Sequence, residues 1–291
     1  MEKKFDTAIV WLRRDLRIAD NPALSAAVEK SKTVIPLFIW SPEEEGDWPP
    51  GSAAKCWLHH SLLELGAELK SRGADLLIKK GRCLDVIQEL IADTNADYVT
   101  WNRLYEPSII KRDEKVKHVL KGSSVKVESF NGSLLLEPWE NLNKSGKPYK
   151  VFTPFWKSLV DQLQPAKPLG APRSIKGAKL SRLKNLKVDD LCLLPKIPWD
   201  DGFYDYWNPG ESGAKKALKE FAKRAAESYN EKRNRPDLPG TSRLSPHLHF
   251  GEISPKQIWH SLAHEDKPQP MSKSGPGTYL REIGWREFAH H

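Results

Sequence analysis

Apolar positions in the first 130 residues fall into short runs separated by amphipathic stretches. Residues 7–12, 33–40, 74–78, 97–101 and 125–130 are rich in β-branched or aromatic side chains and bounded by polar breakers, the pattern of strands. Helical stretches lie between them. Asn21-Pro22 is an N-cap followed by proline at the first helical position and opens a helix over 23–29. A second helix, 55–72, stops at Gly73, and 84–92 and 109–120 complete the set. Five strands joined by four crossovers predict an α/β class, with a doubly wound five-stranded parallel sheet of Rossmann-like type over residues 1–130. Such sheets take ligands outside the carboxyl ends of their strands, which singles out the loop Arg13-Arg14-Asp15-Leu16-Arg17. No Gly-x-Gly-x-x-Gly occurs there, and no Gly-x-x-x-x-Gly-Lys-Ser/Thr anywhere, so an ordinary nicotinamide dehydrogenase and a phosphate-loop ATPase lose their support.

From 131 to 200 the texture changes to Pro, Lys, Gly and isolated aromatics, as in Gly146-Lys-Pro-Tyr-Lys-Val-Phe-Thr-Pro-Phe-Trp-Lys157, and reads as an interdomain linker. After 201 the pattern is helical. Ala214, Ala217/Leu218, Phe221, Ala225 and Tyr229 recur at three- and four-residue intervals, Ser254-Pro255 caps a helix over 256–263, and a last helix runs from Thr278 to the end. The chain stops inside that helix, so residues 201–291 are expected to be the first part of a longer helical domain.

The 291 residues carry 46 Lys+Arg and 38 Asp+Glu, a net charge of +8, with 39% hydrophobic residues, enough to fill a core in each of two domains. No apolar run is long enough to span a membrane, and the N-terminus lacks a signal-peptide stretch, so a cytoplasmic protein is expected; a monomer is expected as well. Cys56, Cys83 and Cys192 lie far apart, which excludes a disulfide scaffold and an all-cysteine metal site. Eleven tryptophans outnumber both tyrosine and phenylalanine, a composition that suits either large cores or a stacking ligand.

Three constellations could carry chemistry. The segment from Pro239 to Pro255 gathers Thr241, Ser242, Arg243 and Ser245 before a helix, donors suited to phosphate oxygens, although the same turn could simply start that helix. In the last helix Glu282, Trp285 and Arg286 stand at i, i+3 and i+4, with Tyr279 one turn earlier; this is an acid, a flat ring and a cation on one face, or else a surface ion pair beside a core tryptophan. Lys232, Arg233 and Arg235 could follow nucleic-acid phosphates or lie solvated. His247-x-His249, His59-His60 and His264 match no metal-ligand spacing, so no metal site is assigned.

Taken in order, these segments resemble the DNA photolyase and cryptochrome family, and most of all bacterial photolyases that repair cyclobutane pyrimidine dimers. The resemblance is carried by Val10-Trp-Leu-Arg-Arg-Asp-Leu-Arg-Ile-Ala-Asp-Asn-Pro-Ala-Leu24, Trp57-Leu-His-His-Ser-Leu62, Trp101-Asn-Arg-Leu-Tyr-Glu-Pro107, Tyr149-Lys-Val-Phe-Thr-Pro-Phe-Trp-Lys157, Gly240-Thr-Ser-Arg-Leu-Ser-Pro246 and Leu280-Arg-Glu-Ile-Gly-Trp-Arg-Glu-Phe288. It implies an α/β domain that carries an antenna chromophore and an all-helical FAD-binding domain, here incomplete. It further implies FAD contacts from Tyr229, Thr241, Ser242, Arg243, Leu244, Ser245 and Tyr279, with Arg286 nearby, and a DNA contact from Arg233. Glu282 and Trp285 match the residues that receive a flipped dimer, the carboxyl group on the pyrimidine edge and the indole as a stacking wall. Electron transfer from excited reduced FAD would then break the cyclobutane ring, so no protein nucleophile is needed.

Folate-binding relatives place an Asn-Glu pair where this chain has Ser108-Ile109, so the antenna is left unidentified. The family continues well beyond 291 residues. The alternatives are a blue-light photoreceptor that repairs nothing, a (6-4) repair variant, and a truncated ligand-binding fragment inactive on its own.

Overall fold

A computed structural model describes residues 3–163, 166–181, 183–263 and 272–291. The chain divides into two compact units. One comprises Met1–Gly132, Leu169–Ser212 and His249–Glu252, the other Ser133–Pro168, Gly213–Leu248 and Ile253–His291.

The first unit alternates β1 (Phe5–Leu12), α1 (Pro22–Lys30), β2 (Ser31–Trp40), α2 (Ser52–Ser71), β3 (Leu77–Lys80), α3 (Cys83–Thr94), β4 (Tyr98–Asn102), α4 (Pro107–Lys121) and β5 (Lys126–Phe130). The strands form one parallel sheet in the order β3-β2-β1-β4-β5, the doubly wound arrangement that the sequence predicts. Because side chains alternate along a strand, β1 feeds two cores. Ala8, Val10 and Leu12 join the core that takes in α1 and α2, while Ile9 and Trp11 join the one that takes in α3 and α4. The third strand starts later than expected, at Leu77. Gly73, at φ +98°, ends α2, and Ala74 N still donates to Leu69 O at 3.1 Å, so the ladder with β2 opens only at Leu37↔Leu77.

The charged loop after β1 is a buried polar scaffold. Asp15 accepts from Arg13 N at 2.6 Å and from Asn102 Nδ2 at 2.6 Å, and Asn21, which caps α1 by accepting from Leu24 N at 3.1 Å, also accepts from Asn102 at 2.8 Å. Arg17, 1% exposed, donates to the carbonyl oxygens of Asp20, Gly132 and Gly251. Two nearby residues fix residues 249–252 to the same unit. Gly251 takes φ +64°, and a Cβ there would stand 2.0 Å from Arg14 O, so only glycine fits. Glu252, fully buried, accepts from Trp57 Nε1 at 2.8 Å and from the Ser61 hydroxyl.

The stretch 131–200, expected as a linker, is divided between the two units. Its later part extends the sheet: Val34 N donates to Lys176 O at 2.9 Å and Ala178 N to Val34 O at 3.1 Å, while Ile175, Val188, Leu191 and Leu193 enter the first core. Its earlier part holds α5 (Phe152–Gln162), whose Phe152, Phe155, Trp156 and Leu159 are buried at helical spacing in the second unit. That unit also takes in α6 (Glu211–Arg224) from Gly213 onward, α7 (Tyr229–Lys232), α8 (Ser245–His249) up to Leu248, α9 (Pro255–Leu262) and α10 (Gly275–Ala289). The apolar periodicity through Ala214 and Phe221 breaks after α6, and Tyr229 begins a helix of its own. Ser254 and Gln257 form a reciprocal capping box on α9. Ser274 caps α10, which starts three residues before Thr278. Of the histidines considered as ligands, His264 lies outside the described residues. No described helix is long and apolar enough to cross a membrane, and among the described residues no three His, Cys, Asp or Glu gather as a metal site.

Candidate functional site

In the second unit, α10 places Glu282 and Trp285 three residues apart, and each engages a different neighbour. The Glu282 carboxylate pairs with the Arg233 guanidinium, delivered by the end of α7, and that guanidinium stands 5.4 Å from the Tyr229 ring centroid. The hydrogen bond to Glu282 holds the Arg233 pKa above its ordinary value. Trp285 lays one face on Phe152, with ring centroids 3.8 Å apart and planes at 8°, and remains 47% exposed. Phe152 is itself stacked at 6.1 Å on Trp156, which packs against α10 where Gly284 leaves room; a Cβ there would lie 2.4 Å from the Trp156 ring. The indole is thus a backed platform with one open face.

Arg286 does not share this arrangement. Its guanidinium donates to Ser133 O at 2.7 Å and stands 3.8 Å from the Glu287 carboxylate, so the pair that spacing alone would allow, Glu282 with Arg286, gives way to Glu282 with Arg233. Glu287, 4% exposed, accepts from Leu135 N at 2.8 Å, and burial pushes its pKa up to about 7.

Beside Glu282, Tyr279 is buried and its hydroxyl meets the Ser242 hydroxyl at 2.7 Å, while Ser242 Oγ also accepts from Leu244 N at 3.2 Å. Tyr279 and Tyr229 meet edge to face at 5.0 Å, both against Phe221, and burial raises both phenol pKa values. Of the remaining predicted residues on the turn, Thr241, Arg243 and Ser245 are exposed, and Leu244 is buried in the core beneath. Arg243 sits at φ +55°, and a Cβ on Gly240 would stand 2.7 Å from that of Lys232, so the turn is tightly folded against the end of α7. The structure therefore brings Tyr229, Arg233, Ser242, Tyr279 and Glu282 together, with Trp285 one turn farther along α10. Phe152 was missed in the sequence, although its spacing to Phe155, Trp156 and Leu159 carried the signal.

The first unit has a cavity of its own, about 230 Å³, over the carboxyl ends of β1 and β2. Trp11, Phe38, Trp40 and Phe250 line it, and Trp48, 89% exposed, stands at its edge. Trp11 Nε1 is buried without a hydrogen-bond partner among the described residues. Arg13 and Arg112 lie over the Trp11 ring at 4.5 and 4.8 Å and share Asp113. An aromatic cage with cations behind it suits a flat, electron-rich or anionic ring system.

The DNA photolyase family model matches residues 8–173, more than half of the chain. Deoxyribodipyrimidine photo-lyase of Agrobacterium fabrum is 41% identical over the whole chain, which covers 60% of that protein, and Cryptochrome-1 of Arabidopsis thaliana is 34% identical over 98% of the chain and 42% of its own length. The crystal structure of a bacterial class III photolyase from Agrobacterium tumefaciens superposes with a TM-score of 0.91 at 40% identity, covering all of this chain and 59% of that one. The chain thus spans roughly half the length of these relatives. With its matched fold and motifs, it belongs to the DNA photolyase family.

Proposed function

We propose that this chain serves light-driven repair of cyclobutane pyrimidine dimers in DNA, with the α7–α10 face as the lesion-binding site. The observation that carries the reading is the Trp285 platform one turn from a carboxylate held by Arg233. A base-modifying protein must take its target out of the stack, and a half-exposed indole with one open face replaces the lost stacking. Glu282 supplies the hydrogen-bonding edge. Arg233 holds that carboxylate in place in the absence of DNA and adds a positive charge for the neighbouring phosphate. A photolyase agrees over the full chain at 41% identity and cryptochromes at 34–37%, so the preference for repair over photoreception rests on the platform and its carboxylate.

The turn at 240–245 fits FAD. Thr241, Arg243 and Ser245 present exposed donors suited to phosphate and ribityl oxygens, Leu244 anchors the turn in the core, and the Ser242–Tyr279 bond fixes it against Tyr229. Arg286, tied to Ser133 O, supports the adjoining 133–136 backbone. When bound and reduced, FAD would supply the photoexcited electron that opens the cyclobutane ring and would take it back afterwards. Trp285 and Glu282 orient the dimer, and no side chain needs to act as nucleophile. The aromatic cavity of the first unit would hold the antenna chromophore.

The test is to load the chain with FAD, reduce it chemically and illuminate it with a dimer-containing oligonucleotide. Light-dependent recovery of ultraviolet absorbance is expected, and Glu282→Gln should slow it with flavin binding kept. Stoichiometric flavin without any light-dependent loss of dimer would contradict repair and favour the photoreceptor reading.

A further inference from the structure

We propose that the turn at residues 143–150 is a second DNA-binding element, a phosphate clamp that grips the backbone beside the Trp285 platform; the inference rests on the reading of that platform as the lesion site.

Three observations carry it. The turn is built, not loose: Asn143 Oδ1 accepts from Ser145 N at 2.8 Å and from Lys147 N at 3.1 Å, Asn143 N donates to Lys147 O at 2.9 Å, and Gly146 takes φ +69°. Both flanks are anchored in the second unit. Buried Asn141 donates to Phe155 O at 3.3 Å, and Tyr149 N donates to His291 Nε2 at 2.9 Å. The turn carries only positive charge. Lys144, Lys147 and Lys150 are all exposed, and none of their ammonium groups belongs to an ion pair or hydrogen bond among the described residues. The carboxylate nearest before it in sequence, Glu140, accepts from Glu137 N at 3.0 Å.

The third observation is its place. Lys150 is followed by exposed Val151, the N-cap of α5, and then by Phe152, the ring on which Trp285 lies at 3.8 Å. Lys150, two residues before the base of the stacking platform, and Lys147 and Lys144 on the built turn that precedes it would meet the phosphates that flank an extruded nucleotide. Phosphate contacts of this type set position and carry no sequence information, so they serve a protein that must find a lesion in any sequence.

Fluorescence anisotropy on the full 291-residue chain tests this, with Lys144→Gln/Lys147→Gln/Lys150→Gln against labelled dimer-containing and undamaged duplexes over a range of salt. Each lost phosphate contact flattens the dependence of log affinity on log salt by about 0.9, so the variant should lose about 2 to 3 from the slope and roughly tenfold or more in affinity at about 0.1 M salt, equally for both duplexes. A control with the same charge change, Lys111→Gln/Lys115→Gln/Lys121→Gln on α4, should leave slope and affinity near the unaltered values. Unchanged slope in the first variant, an equal loss in the control, or no salt-dependent binding by the unaltered chain would each overturn the proposal. Trp285→Ala keeps the two readings apart: if it spares dimer preference while the turn variant flattens the slope, the lesion reading fails and the clamp stands.

Discussion

Trp285→Ala removes the open platform and leaves its support in place. The indole is 47% exposed, rests on Phe152 at 3.8 Å and meets Phe288 edge-on at 5.8 Å, so truncation forfeits the buried half of the indole and these two ring contacts, roughly 1–2 kcal/mol of folding free energy. That is small beside the ~5–15 kcal/mol of an ordinary domain, so the variant stays folded. Stacking of a base on an aromatic side chain is worth about 1–3 kcal/mol by alanine substitution, which converts to a loss of roughly 5- to 150-fold in affinity. The loss should fall on DNA carrying an extruded dimer alone. Anisotropy titrations at fixed salt should show the dimer-containing duplex weakened by that factor, the undamaged duplex changed less than about twofold, and the salt slope unaltered. Trp285→Phe should recover most of the affinity. Equal weakening of both duplexes, or of neither, would refute the reasoning.

Two further predictions concern stability. Glu287 is buried with its pKa raised to about 7, so its folded state binds the proton more tightly than the unfolded chain does; its contribution is fully present below the ordinary carboxylate pKa and is lost as pH rises to about 7, some 3 kcal/mol in all. Glu287→Gln, which keeps an acceptor for Leu135 N, should flatten the fall in melting temperature between about pH 5 and pH 8; an unchanged pH profile would contradict the assignment. In the first unit, Glu252→Ala removes the carboxylate that the buried Trp57 indole N–H donates to, at about 1–3 kcal/mol, while the Ser61 hydroxyl keeps its bond to Trp57 O at 3.0 Å; urea unfolding should shift to lower denaturant, with Glu252→Gln closer to the unaltered protein.

The sheet was legible because its signal is local. β1, β2, β4 and β5 are short apolar runs with breakers at their ends, and Asn21-Pro22 and Ser254-Pro255 announce helix starts by side-chain chemistry that the structure shows bonded. α5 was hidden because lysine, proline and glycine dominate its surroundings and mask four anchors at helical spacing. The candidate site was legible only as far as one helix reaches. Spacing put Glu282, Trp285 and Arg286 on one face, but partner choice is tertiary: Glu282 meets Arg233, 49 residues away, and Arg286 meets Ser133, 153 residues away. Local patterns carry no information about such pairs. The tryptophan excess served both readings left open by composition, since Trp57, Trp101, Trp156 and Trp259 are core residues while Trp285 and Trp48 stand exposed at candidate binding places.

The central claim, that the α7–α10 face reads a dimer lifted out of DNA, is tested most directly by the ratio of dark affinities of the unaltered chain for a dimer-containing and an otherwise identical undamaged duplex. A built stacking platform and a carboxylate edge predict a preference on the order of tenfold or more, persisting as salt rises because stacking releases no counterions. Equal affinity for the two duplexes at every salt concentration would contradict it.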